Sequence, residues 1–416
     1  MGEEETDGSG HRDVLILGGG LVGMALAIGL ARAGVSCHVV DRAAPESQTA
    51  EGFDGRASAI STASWNLFTH LGLAPLLEPK GCPITAIAVN DGLRPGKIDF
   101  RPAEGEGSLG RMFANRELRL ALFEVASREP LIAWHPSSEV IARERGAHGV
   151  SVTLADGRSL RAALMVGAEG RVSPTRDEAH LAVAKWDYSH RAVVAGLAHS
   201  KPHDGVAWEI FYPAGPFALL PMLDDGADEF GARHRSALVW TVAESDAAGV
   251  LAMSETAFLA EAQRMMGGVL GEIELAAPRA SWPLNFHHTA RIVSDRLALV
   301  GDAAHGIHPI AGQGLNLGLR DAAALVEVIA DGMRLGLDPG DAQVLARYER
   351  WRASDALMVA AATDGLTRLF GIPGRGASLV RRLGMAGVQR LPLLKRWFMD
   401  EARGVSGTLP RLLQGV

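Results

Sequence analysis

Residues 13–41 read DVLILGGGLVGMALAIGLARAGVSCHVVD. The run up to Leu17 is short and apolar, as a strand buried on both faces of a parallel sheet must be. Gly18-Gly19-Gly20-Leu21-Val22-Gly23 follows, a G-x-G-x-x-G. Met24 to Ala33 reads as a helix ended by Gly34, and Val35 to Val40 as a second strand ending in Asp41. The glycines alone fit any turn that packs a helix on a strand. Together with the strand, the helix and the acid they make a complete βαβ unit. In such a unit glycines let a pyrophosphate approach the helix N-terminus, and the acid accepts ribose hydroxyls. Gly18, Gly20, Gly23 and Asp41 are therefore candidate dinucleotide ligands. No second fingerprint stands midway, since GLARAG at 29–34 lies inside the first helix. One dinucleotide, tightly held, is expected.

A second stretch says which one. Residues 301–321 read GDAAHGIHPIAGQGLNLGLRD, after the apolar run Arg296–Val300. An acid at the carboxyl end of a parallel strand points into the ligand crevice. Asp302 there can hydrogen-bond a polyol, and FAD has one in its ribityl chain where NAD has none. Beyond Pro309 a loop holding Gly312 and Gly314 leads into a helix beginning near Leu315. Glycines let backbone approach a flat ring, and a helix N-terminus stabilises negative charge on reduced flavin. The stretch reads as a floor for an isoalloxazine ring.

Composition sets the bounds. The 416 residues suit two domains, and 47% apolar with 21% charged residues is ordinary for a globular protein. No apolar run reaches the length of a spanning helix, and the acidic opening MGEEETDGSGHRD is unlike a secretory signal. Residues 1–9 are expected to be disordered and the protein cytoplasmic. Cys37 and Cys82 make no disulfide framework and read as buried small hydrophobes. The net charge is −7, unevenly spread: residues 365–416 hold nine Lys/Arg against Asp400 and Glu401, so this tail is +7 and the rest −14. An acidic body argues against nucleic acid as a partner. The basic, apolar tail reads either as a helix packed on the body with a solvated basic face, or as a surface for anionic lipid or an acidic partner.

These motifs resemble the class A FAD-dependent aromatic monooxygenases, most closely the ubiquinone-biosynthesis hydroxylase family. DGRASAIS at 54–61, NRELRLAL at 115–122, GAEGRVSPTR at 167–176, GPFALLPM at 215–222, TDGLTRLF at 363–370 and RLPLLKRWFM at 390–399 carry the likeness along nearly the whole chain. The resemblance implies an α/β fold like that of para-hydroxybenzoate hydroxylase. A discontinuous Rossmann-like FAD-binding domain would cover 10–80, 105–180 and 283–360. An inserted, mostly β substrate domain would cover 81–104 and 181–282, and a basic amphipathic helical region 361–416.

It further implies that Gly18, Gly20 and Gly23 hold the pyrophosphate and Asp41, with Arg42 beside it, the adenosine end. Arg56 would lie near the pyrophosphate and flavin, and Arg116, or else Arg119, at the phosphate or ribityl region. Glu169 stands where the family usually has Asp, in a motif serving FAD and NAD(P)H together; an ordinary turn acid is the alternative. Gly301 and Asp302 would meet the ribityl chain, and Pro309, Gly312, Gln313, Gly314, Leu315 and Asn316 the flavin ring. Ser189-His190 replaces the usual Gly-Gln.

The reaction implied is hydroxylation of a polyprenylated phenol or benzoquinol in ubiquinone biosynthesis. NAD(P)H would reduce FAD, and O₂ would act through a flavin C4a-hydroperoxide. An apolar prenylated substrate would bring the protein to the inner membrane surface or into a biosynthetic assembly. No acid or base is assigned. Alternatives are a hydroxylase of another aromatic compound and a non-catalytic FAD-binding assembly component. A halogenase would want Trp-x-Trp-x-Ile-Pro, which the sequence lacks. His287-His288, His305 and His308 lack the ligand spacing and carboxylate of a metal site, so none is expected, and His305 reads as a loop-packing or hydrogen-bonding residue. Stretches 191–197, 206–212, 217–222 and 236–243 read as strands whose aromatics mostly form core, a minority lining an apolar pocket.

Overall fold

A computed structural model describes residues 10–51, 55–93, 97–103, 105–213, 215–224, 234–306, 313–353 and 391–415. The opening unit is strand Arg12–Leu17, helix Leu21–Arg32 and strand Cys37–Val40, the two strands parallel with Leu17 opposite Val40. Val14, Leu15, Ile16, Cys37 and Val39 are fully buried, which is why the run is apolar throughout rather than alternating. Ser159–Gly167 and then Leu297–Leu299 continue the parallel sheet on one side, Ile132–His135 on the other. Antiparallel strands Gly149–Leu154 and Val140–Gly146 extend it. The fingerprint helix is apolar almost all round because its other faces meet helices Asn115–Ala126 and Gln313–Arg334. Gly29 marks the closest approach: a Cβ there would lie 2.9 Å from Val326 Cγ2.

Among the described residues the second sheet has nine strands. Val183–His199 runs through it, antiparallel to His234–Ala243 and Ala280–Thr289. A meander of Val206–Tyr212, Gly215–Met222 and His234–Ala243 follows, so the four stretches expected as strands all lie within strands. Ala86–Asp91 joins parallel to Val206–Tyr212, and Lys97–Phe100 pairs outside it. Ala280–Thr289 in turn pairs with His305–Gly306 at the start of the second signature stretch. One face of the sheet, with Val193, Phe217, Leu238 and Trp240, is closed by helices Glu244–Ala252 and Glu255–Met266 through Val250, Phe258 and Met266. The other face turns to a small sheet of Ala57–Ser61, Gly110–Ala114 and Cys82–Ile84.

The position where the family usually has glycine is a bulge. Register shifts between Asp187 and His190, and Ser189 sits at φ 51°, its N–H donating to Asp187 Oδ1 at 2.8 Å. Glycine takes that left-handed conformation without strain; serine does not.

Of the basic tail, residues 391–415 are described, and they are stitched to the body. Pro392, where helical spacing breaks in the sequence, opens helix Pro392–Ala402 instead of interrupting one. Arg403 pairs with Glu106, Arg411 with Glu327 and Asp331, Trp351 Nε1 donates to Thr408 O, and Leu413 lies in the core. Residues 376–390, the other half of the amphipathic pattern, and the opening nine residues lie outside the described residues. Among the described residues no helix is long and apolar enough to cross a membrane.

Candidate functional site

The carboxyl ends of Arg12–Leu17, Cys37–Val40 and Leu297–Leu299 open into a cleft of about 970 Å³. Gly18 stands there at φ 110°, and a Cβ would come within 2.3 Å of Ala168 O. A Cβ on Gly23 would come within 1.9 Å of Gly18 O, so this glycine is required by helix–strand packing. Gly20 differs: a Cβ there meets nothing within 4 Å, and its direction is open space. Gly20 is also the N-cap of Leu21–Arg32, with no side chain capping the helix. An uncapped helix N-terminus on the wall of a large cleft fits a pyrophosphate.

Asp41 is fixed by backbone. Its Oδ2 accepts the N–H of Gly19 at 2.6 Å and its Oδ1 that of Ala43 at 2.7 Å. Each oxygen keeps a lone pair for a ribose hydroxyl. Arg42 and Arg56 line the same cleft.

On helix Asn115–Ala126 the cleft is lined by Asn115 and Arg119, four residues apart on one face. Arg116 lies a hundred degrees round. Its Nε donates to the carbonyls of Thr49 and Ala50 and its Nη1 to Glu117, and it does not line the cleft. Of the two arginines, Arg119 lines the cleft and Arg116 holds the loop at Thr49 and Ala50.

Glu169 borders the cleft with its carboxylate engaged by protein. Oε1 pairs with Arg143 at 3.1 Å; Oε2 accepts from Ser173 Oγ at 2.7 Å and Thr175 N at 3.1 Å. The longer arm thus anchors the turn into Pro174–Glu178. Asp302 lines the cleft and accepts from Arg171 Nε at 3.0 Å; Arg171 also donates to Asn285 on the second sheet. Its place at the cleft and its link through Arg171 to the second sheet coincide.

Gly314 and Leu315 line the cleft, whereas Gln313 and Asn316 turn away from it. Asn316 Oδ1 accepts Ser61 N–H at 3.0 Å and its Nδ2 donates to Ala59 O at 2.9 Å, so it clamps the long helix to strand Ala57–Ser61. Pro309 and Gly312 lie outside the described residues.

The residue that ties the end of strand Leu297–Leu299 to the long helix is one that the sequence reading passed over. Asp321 is fully buried and accepts from Gly301 N–H, His305 Nε2 and Arg352 Nε at 2.9, 2.8 and 2.7 Å. Burial pushes its carboxyl up, but the charges of His305 and Arg352 outweigh this and hold it below its usual range. The signal was present: Asp321 stands on the stripe of Leu317, Ala324, Leu325 and Val328, where an acid must have buried partners. His305 takes the hydrogen-bonding role expected of it.

Beyond strand Ala57–Ser61 lies a second, apolar cavity of about 160 Å³. Ala59 and Ile60 form one wall, Ala207, Glu209, Ala218 and Val239 of the second sheet another, and Gln313 and Asn316 reach it from the long helix. An apolar cavity of about 150 Å³ takes a benzene ring. Ala57 borders both spaces.

A parallel sheet with a glycine fingerprint, an acid-tipped return strand and a covering β-sheet defines a single-dinucleotide oxidoreductase. Residues 11–363 match the FAD binding domain family. The chain is 44% identical over 407 residues to ubiquinone hydroxylase UbiL of Rhodospirillum rubrum, covering 97% of this chain and 93% of that protein. It is 31% identical to the 3-demethoxyubiquinol 3-hydroxylase of Escherichia coli, covering 94% and 98%. In fold it is similar to p-nitrophenol 4-monooxygenase PnpA of Pseudomonas putida, with a TM-score of 0.75 at 18% identity, covering 96% and 99%. The chain belongs to the ubiquinone-biosynthesis hydroxylases of the FAD binding domain family, and FAD is its cofactor.

Proposed function

We propose that this chain hydroxylates the ring of a polyprenylated phenol or benzoquinol intermediate of ubiquinone synthesis, with NAD(P)H as reductant and O₂ as oxidant. One observation carries the reading: a ring-sized apolar cavity and the dinucleotide cleft share the wall Ala57–Ser61. The names of the R. rubrum and E. coli relatives agree with it.

Gly18, Gly20 and the uncapped helix would hold the pyrophosphate, Asp41 and Arg42 the adenosine end, and Arg56 and Arg119 the middle of the cofactor. Gly301 and Asp302 would hold the ribityl chain; Gly314 and Leu315, with Pro309 and Gly312, would meet the flavin ring. Bound FAD supplies the redox chemistry with oxygen. The protein orients the ring, excludes water and offers fixed dipoles. A prenylated ring must come from a bilayer, and exposed Trp397 beside Arg396 on helix Pro392–Ala402 suits peripheral contact with an anionic leaflet.

Purified protein should carry one FAD per chain and oxidise NAD(P)H faster when given a short-chain prenylphenol, with product heavier by one oxygen atom. Asp302→Ala should lose flavin. Full flavin occupancy without any oxygenated product from prenylated phenols would overturn the hydroxylase reading.

A further inference from the structure

We infer that Trp282 is the platform on which the nicotinamide ring of the reductant stacks beside the flavin. The inference rests on the reading above that NAD(P)H reduces this protein.

Three tryptophans are exposed among the described residues: Trp186, Trp282 and Trp397. Trp186 stands edge-on to Phe286, with ring centroids 5.0 Å apart, and Trp397 edge-on to Phe398 at 4.9 Å. Trp282 has no such ring neighbour among the described residues, and it alone of the three lines the dinucleotide cleft. It is 49% exposed on strand Ala280–Thr289. An exposed indole on the wall of a ligand cleft offers a flat ligand a stacking surface.

Register gives its place relative to the substrate cavity. Trp282 and Thr241 both pair with Ala192, so the three form one cross-strand row on one face of the second sheet. Thr241 lines the ring-sized apolar cavity and Trp282 the cleft. Neighbouring strands lie about 4.8 Å apart, so two steps separate the residues by roughly 10 Å. Three residues along the strand from Trp282, Asn285 accepts from Arg171, which pairs with Asp302 at the carboxyl end of the parallel sheet. Trp282 therefore belongs to the flavin half of the cleft, at the other end of the row from the substrate cavity.

The fingerprint Gly18–Gly23 serves one dinucleotide, and FAD takes it. The reductant has to reach the flavin without a glycine loop of its own. The cavity beyond Ala57–Ser61 is of a size for one ring, the substrate's, which leaves the cleft side of the row. A dihydronicotinamide ring is flat and neutral; once its hydride has passed to the flavin it is a flat cation. Indole suits both forms, stacking on the first and attracting the second through its π face. A ring held by one exposed side chain also leaves readily, as a reductant that turns over must.

The test compares wild-type holoenzyme with Trp282→Leu, which keeps apolar bulk, and Trp282→Phe, which keeps a stacking face. The probes are tetrahydronicotinamide forms of NAD and NADP, which cannot give up hydride. Trp282→Leu should bind the preferred probe about tenfold more weakly, within the range of a lost aromatic stack. Trp282→Phe should recover most of the affinity. Flavin content and the visible flavin spectrum should be unchanged in both. Wild-type affinity in Trp282→Leu would overturn the inference and leave the hydroxylase reading intact. Loss of flavin or a shifted flavin spectrum in Trp282→Leu, with Trp282→Phe like wild type, would make this side chain a wall of the flavin seat and overturn it as well. Wild type that binds neither probe would overturn the inference together with NAD(P)H as reductant. Wild type that binds a probe with the expected loss in Trp282→Leu, yet yields no hydroxylated prenylphenol, would uphold the inference and end the hydroxylase reading alone.

Discussion

Asp321 Oδ2 accepts the backbone N–H of Gly301 at 2.9 Å, across 20 residues of sequence. The long helix thereby holds the end of the last parallel strand, and with it the position of Asp302. Asp321→Asn removes the charge facing Arg352 and His305. Breaking a buried pair costs about 3–5 kcal/mol. Urea unfolding should show a loss of that size together with a lower flavin-to-protein ratio. A variant within about 1 kcal/mol of wild type, fully loaded with flavin, would contradict the role given to this residue.

The fingerprint glycines should separate. Gly23→Ala meets Gly18 O and should destabilise the protein by about 1–3 kcal/mol or more. Gly20→Ala meets no protein atom, at a backbone φ of −73° that alanine accepts. It should fold with near-native stability yet bind FAD at least about tenfold more weakly, a difference of ~1.4 kcal/mol. Calorimetry of the apoprotein and flavin titration read the two effects independently. Native FAD affinity in Gly20→Ala would mean the pyrophosphate does not pass over this residue.

Arg119→Ala should weaken FAD binding, by about tenfold for a lost charged hydrogen bond. Arg116→Ala should leave affinity unchanged while loosening the loop at Thr49 and Ala50. Flavin titration of both proteins decides between the two arginines, and the opposite ranking would return the role to Arg116.

Stability should fall on mild acidification. Burial lowers His135 and His199 to about 4 each, His38 adding to the effect at His135. Between the unfolded value near 6.5 and about 4, the unfolded chain binds protons that these folded imidazoles refuse. Each then contributes a loss of about 1.4 kcal/mol per pH unit as pH drops through that window, and none above it. Denaturation of wild type and His199→Gln at pH 7 and pH 5 checks the sign: the variant should lose less. An equal loss in both would assign the acid sensitivity elsewhere.

Ser189→Gly should stabilise the protein by about 1 kcal/mol by relieving the left-handed serine in the bulge. A thermal melt suffices, and a lower melting temperature would show that the side chain of Ser189 contributes more than the strain costs.

The βαβ unit and the return strand were legible because each is written in one contiguous stretch whose residues meet one another. The apolar cavity was not, because it depends on the register of strands 57–61, 86–91, 206–212 and 234–243, which pair across long separations. The choice between Arg116 and Arg119 needed helix phase, set by buried Leu118, Leu122 and Val125. The role of Glu169 needed Arg143, a partner from another strand with no marker of its own. Asp321 was readable as a misplaced acid, though its partners Gly301 and Arg352 were not.

The cleft wall joins Gly18 to Gly301, so neither half of the cofactor seat exists until both have been synthesised. At about 5–20 residues per second a ribosome needs roughly a quarter to one minute to cover that interval. During that time strand Arg12–Leu17 waits for its neighbour Ser159–Gly167, and that strand in turn waits for Leu297–Leu299. Flavin loading is thereby a late event in the birth of each molecule, and shortage of the vitamin would show as finished chains that lack their cofactor rather than as a defect of the growing chain.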